Sequence, residues 1–213
     1  MSSTLPPNAQ RTQKTAGNSD EKPLALTTLA AAVQANRQKL PDPRLVTSAL
    51  LDQERQAKQI PAAIGLENIL GTWQLRFTAP KKPTSKSGQP TSNGFYVPTI
   101  VQATLQFKAD EDRSTGLEIQ NQLQLGILKL RFIGPAKLLP KKNILAFDFE
   151  RLQVELGNLT LFNFPVRSGR SERPAFETVP VGKLPFFAFF TATQDSIAAR
   201  GRGGGLALWR RQT

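Results

Sequence analysis

Apolar and polar residues alternate along most of the chain beyond residue 70, the period-two pattern of strands with one buried face. Gly71-Thr72-Trp73 opens the first such stretch, in which Trp73, Leu75 and Phe77 fall on one face and Gln74 and Arg76 on the other. Over Ile100–Lys108, Val101, Ala103, Leu105 and Phe107 alternate with Gln102, Thr104 and Gln106. Leu117, Ile119, Leu123 and Leu125 share the face of the next stretch, with Asn121 in its middle, and Leu128, Leu130 and Phe132 follow over Gly126–Ile133. A long run over Ile144–Leu156 sets Leu145, Phe147 and Phe149, then Leu152, Val154 and Leu156, against Asp148 and Glu150. Further strands are predicted over Leu159–Phe164, Leu184–Thr191 and Gly205–Arg211, with turns at Asp110–Gly116 and Pro140–Asn143.

Ahead of the strands the period changes to that of a helix. Leu26, Leu29, Ala30, Val33 and Arg37 are spaced for one helical face within Leu24–Leu40, and Pro41 and Pro43 are placed to end it. Val46, Ala49, Leu50, Gln53 and Ala57 repeat the spacing over Asp42–Gln59, before Pro61. Residues 1–23 carry hardly any apolar side chains, so nothing offsets the entropy of ordering them, and they read as a flexible tail. That tail is either the remnant of an organelle transit peptide or, given Asp20 and Glu21, the start of a bacterial protein without one. The remainder, 24–213, reads as one domain with helices within 24–60 and a barrel within 66–213.

About eight or nine short strands, each with one apolar face, suit an antiparallel barrel or sandwich, and a closed barrel leaves no open edge. The Gly-x-Trp opening and a C-terminal Arg are similar to those of lipocalin-like barrels, in which the Arg covers the Trp ring and seals one end; Arg210 or Arg211 is placed for this, with Gly71 and Trp73. The expected fold is therefore mainly β with N-terminal helices, a lipocalin-like antiparallel β-barrel. An eight-stranded barrel has room for about one small ligand. Its candidate lining is Trp73, Leu75, Phe77, Leu105, Phe107, Phe147, Phe149, Phe187 and Phe189, with Asn121 either orienting a ligand's polar head or marking a bulge.

Two motifs carry a family resemblance: Leu70-Gly71-Thr72-Trp73-Gln74-Leu75 with Thr78, and Arg200-Gly201-Arg202-Gly203-Gly204-Gly205-Leu206. In these, and in the order of its elements from residue 24 onward, the chain resembles the plastid-lipid-associated proteins, or fibrillins, of chloroplasts and cyanobacteria. The resemblance implies a non-enzymatic protein, without cofactor or metal, that binds or transports a carotenoid, prenylquinone, chlorophyll-type pigment or lipid. It further implies partners in an anionic membrane surface and in photosynthetic complexes or their assembly factors. The implied location is the cyanobacterial cytoplasm, peripheral to the thylakoid, or alternatively a plastid with its plastoglobules.

Composition narrows the chemistry. The chain of 213 residues has neither Cys nor His, which removes thiol and imidazole nucleophiles and ordinary zinc or haem ligation. A net charge of +12 favours anionic partners. Lys81, Lys82 and Lys86 lie in a long Pro- and Gly-rich loop that either touches headgroups or is merely solvated. Phe186, Phe187, Phe189 and Phe190 place aromatic rings on both faces of one strand, the second face either packing under the helices or contacting a membrane or partner. The glycines of 201–205 lack the Lys-Ser/Thr and helix of a phosphate-binding loop, and a single Arg-Gly instance gives nucleic acid little support. A bilin lyase-like chromophore chaperone and a basic RNA-binding barrel remain the alternatives.

Overall fold

A computed structural model describes residues 21–34, 39–80, 82–112, 115–166 and 175–212. Two helices come first, α1 (Glu21–Val33) and α2 (Pro43–Gln59), then a single turn α3 (Leu66–Ile69). The strands are β1 (Gly71–Ala79), β2 (Ser85–Lys86), β3 (Gln89–Pro90), β4 (Phe95–Tyr96), β5 (Val101–Ala109), β6 (Leu117–Leu125) and β7 (Leu128–Leu139). They continue with β8 (Ile144–Phe147), β9 (Arg151–Leu156), β10 (Leu159–Pro165), β11 (Phe186–Ala192), β12 (Ser196–Gly201) and β13 (Leu206–Arg211).

Strands β7, β6, β5, β1, β13, β12, β11 and β8 follow one another by hydrogen bonding, and β8 returns to β7, giving a closed eight-stranded antiparallel barrel. The first strand pairs with the last, Trp73 opposite Arg211 and Leu75 opposite Trp209. Strand β12 was not foreseen as a separate strand. Its Ile197 and Ala199 face the barrel interior while Ala198 faces the helices, so both faces are buried and no alternation marks it. The expected long run 144–156 divides into β8 and β9, the break at 148–150 adding one residue opposite β7.

The helices cover the outer face of β1, β11, β12 and β13. Ala25, Leu29, Ala32 and Val33 of α1 and Val46, Ala49 and Leu50 of α2 bury against Phe77, Ala79, Ala198, Leu206 and Leu208, forming a second core. Pro43 at the first turn and Asp42, whose carboxylate accepts from Arg44 N at 2.7 Å, start α2 where the spacing placed it. Helix α1 differs from expectation at both ends. It begins at Glu21, inside the segment read as tail, and stops at Val33, short of the expected Leu40. The rest of the tail, residues 1–20, together with Arg37 and Lys81, lies outside the described residues. The carbonyl of Gln34 accepts from Arg76 Nη2 at 2.8 Å, closing the helix end with a buried cation.

Arg76 also explains a correction. Opposite β13, Leu75 pairs with Trp209 and Phe77 with the adjacent Leu208, so Arg76 is the extra residue of a β-bulge. The bulge reverses the facing of everything after it: Phe77 does not share the interior face with Trp73 and Leu75 but packs under the helices, edge-on to Tyr96 at 5.2 Å. Burial pushes the Tyr96 hydroxyl up to about 12, and as a neutral donor it bonds Pro41 O at 2.9 Å. A similar bulge at Phe190 leaves Phe187 and Phe189 inside and turns Phe190 toward α2.

Candidate functional site

One end of the barrel is sealed by the residues the sequence singled out. Trp73 is fully buried and donates its indole N–H to Ile69 O at 2.7 Å. The guanidinium of Arg211 lies 4.0 Å from the Trp73 ring and donates to three backbone carbonyls: Gln194 at 2.6 Å, Leu70 at 2.8 Å and Asn68 at 3.3 Å. It thereby ties α3, the β11–β12 turn and both terminal strands together over one ring. Gly71 has φ +118°, and a Cβ there would meet Arg211 Nη1 at 2.7 Å, so both backbone and space require glycine. Arg210 is not part of this lid. One position along β13 it points outward, reaching Gln74 Oε1 at 3.5 Å and lining a groove of about 720 Å³ beneath α1.

Above the seal the interior is filled with side chains. Leu105, Phe107, Ile119 and Ile197 are buried around Trp73, and Phe147 and Phe189 are buried beyond them. Leu75, Phe149 and Phe187 pack on this core and remain half-buried at the mouth, the end opposite the seal. The aromatic rings form a continuous series from the barrel centre to that mouth. Centroid distances are 5.5 Å for Trp209–Phe187, 5.1 Å for Phe187–Phe147, 5.2 Å for Phe147–Phe149 and 5.5 Å for Phe149–Phe132. Such contacts hold the rings in place, and the half-buried Phe187, Phe149 and Phe132 keep surface free for another flat or apolar group.

The inner face of the barrel does not stop at the mouth. Strand β7 pairs with β8 through Ala136–Leu139 but with β9 through Leu128–Ile133, and β9 carries β10 on its other edge. The outer halves of β6 and β7 together with β9 and β10 thus make a four-stranded wing outside the barrel. In register across it stand Leu123, Leu130 and Val154, and Leu125, Leu128 and Leu156, all on the face that continues the barrel interior. The opposite face is polar, with Arg131 bonded to Gln122 and ion-paired to Glu155 at 2.9 Å. All of β10 is exposed, including Leu159 at 64% and Phe162 at 53%, whereas Trp73 is at 0%.

The structure thus brings Leu75, Phe147, Phe149, Phe187 and Phe189 to the mouth and its throat, and places Trp73, Leu105 and Phe107 in the packed floor. Phe77 lies in the other core, and Asn121 stands exposed on the wing side of β6, opposite Leu105 and Phe132, in a regular ladder without a bulge. Phe132 and the wing residues were missed as site residues. Their signal was the length of the 144–156 run, more than one barrel strand needs. Among the described residues, no three or more His, Cys, Asp and Glu side chains gather into a metal-binding group, and no helix is long and apolar enough to cross a membrane. What the mouth offers is apolar contact. Comparison with protein-family models, curated proteins and solved structures returns no match.

Proposed function

We propose that this protein binds and carries a lipophilic small molecule, of the carotenoid, prenylquinone, chlorophyll-type or lipid class, at photosynthetic membranes, and does not transform it. The reading starts from a β-barrel fold compatible with small-molecule binding. The observation that carries it further is the half-buried cluster of Phe187, Phe149 and Phe132 at the open end, backed by the buried Phe147 and Trp209, which offers an elongated apolar guest a ring surface to lie on. Each methylene buried there contributes about 0.8 kcal/mol, so an isoprenoid segment needs only shallow insertion to be held. The family resemblance of the Leu70–Leu75 motif, with Thr78, and of the Arg200–Leu206 motif supplies the photosynthetic setting, and the charge of +12 favours anionic thylakoid lipids on the cytoplasmic side in a cyanobacterium.

The test is solvent extraction of protein purified from its own host, with mass spectrometry of the extract. A single isoprenoid or lipid class in near-stoichiometric amount is expected, and decylplastoquinone added to stripped protein should quench tryptophan emission saturably. A protein that yields no apolar guest and shows no saturable quenching overturns the proposal.

A further inference from the structure

We propose that the apolar face of the wing is a membrane-docking surface, and that its occupant is the surface of an anionic bilayer. The inference rests on the carrier reading for its purpose, since it gives the route by which a guest reaches the mouth. Leu125, Leu128, Leu156, Leu159, Phe162 and Phe164 are each more than 40% exposed on adjoining strands. Contiguous apolar surface of this kind is rare on a protein that stays in water. Phe162 and Phe164 stack at 5.4 Å, presenting their rings together rather than folding them back onto the barrel.

Charge selects the partner. The loops leaving the barrel at its open end, from which the wing projects, carry Lys82, Lys86, Lys183 and Arg202, all exposed. The acidic turn of Asp110, Glu111 and Asp112 lies at the sealed end, beside the start of β6. Four exposed cations thus stand on the loops at the mouth, whereas the sealed end offsets Lys141 and Lys142 with this acidic turn. A second copy of this chain would bring two +12 molecules together with these cations face to face, which electrostatics opposes. An anionic bilayer meets both features, apolar side chains entering below the headgroups and lysines remaining among them.

The depth is limited by the backbone. Among the described residues no strand pairs with the outer edge of β10, and unpaired N–H and C=O groups do not enter hydrocarbon. The wing therefore lies face down at the interface, inserting side chains only. Because this face continues the barrel interior, docking sets the mouth against the bilayer, and a guest passes between them without crossing water.

Vesicle co-sedimentation of the full chain tests this without any ligand, using phosphatidylcholine vesicles with and without phosphatidylglycerol. Wild type should bind the anionic vesicles, and Phe162→Glu combined with Phe164→Glu should weaken binding about tenfold or more at unchanged melting temperature. Lys86→Glu combined with Lys183→Glu should weaken binding to anionic vesicles by roughly tenfold or more, without altering any residual binding to neutral ones. The proposal is overturned if the phenylalanine pair binds vesicles as wild type does, or if wild type binds neither vesicle. It also fails if those substitutions abolish a dimer seen by sedimentation equilibrium, for the face is then a contact between copies. None of these failures touches the carrier reading, which is judged by extraction and quenching.

Discussion

The two ends of strand β7 make an instructive pair. Toward its C-terminal end, Ala136 and Leu138 face a core closed by β8, α3 and the Trp73–Arg211 lid. Toward its N-terminal end, Leu128 and Leu130 carry the same alternation on the same face of the same strand, yet Leu128 is 41% exposed. The difference lies in what covers the strand, because β8 turns away with β11 while β9 and β10 extend the sheet outward. Alternation establishes that a face is apolar. Whether that face is core or contact surface depends on the layer laid over it.

The comparison predicts that substitutions of similar chemistry will differ widely in cost between the two ends. Trp73→Ala should be the most damaging, about 4 kcal/mol by urea denaturation, since it empties the floor of the barrel; a loss below about 1 kcal/mol breaks the contrast. Arg211→Ala should follow at about 2 kcal/mol, from lost carbonyl bonds and ring contact. Arg211→Lys should recover only part of this, because an ammonium cannot reach all three carbonyls as the planar fork does.

Next comes the tie between α2 and the open end. Arg200 pairs with both oxygens of Glu54, at 2.6 and 2.8 Å, and also holds the carbonyls of Gly204 and Pro83. Burial by itself raises the Glu54 carboxyl, but the hydrogen bonds and charges of Arg200 and Lys58 outweigh it and hold the group below the ordinary carboxylate range. Its stabilising contribution is therefore complete above the unfolded-state value near 4.5 and is lost as pH falls through the lower folded value. Glu54→Gln should cost about 2 kcal/mol at neutral pH. The gap between variant and wild-type urea midpoints should close in acid. The smallest effect belongs to the wing: Leu159→Ser should change stability by no more than about 0.5 kcal/mol. A loss comparable to that of Arg211→Ala would mean that β10 is covered in the free protein.

Much of this was legible in the chain. The barrel and its sealed end followed from Gly71, Trp73 and the last arginines, because a closed sheet with one capped end has few other solutions. Even the choice between Arg210 and Arg211 was within reach: with Trp209 facing inward, only Arg211 shares its face. Phe77 was assigned to the wrong side because the bulge at Arg76 inserts a residue that no change of pattern announces. Strand β12 was hidden because Ala198 and Ala199 are both covered, one by helices and one by the barrel. The wing escaped for the reason β7 illustrates, that hydrophobic periodicity is blind to the presence of a neighbouring layer.

Gly134 sits where the sheet forks. The crossing chain presses the Asp148 carbonyl into the space a side chain at Gly134 would occupy, and Asp148 N bonds Pro135 O at 3.1 Å. One absent methyl group thus lets a single strand serve two architectures, a cylinder on one side of the fork and an open ribbon on the other. The ribbon can lengthen, shorten or change its side chains through its own turn at Gly157 without disturbing any hoop of the cylinder, leaving one free to vary while the other stays fixed.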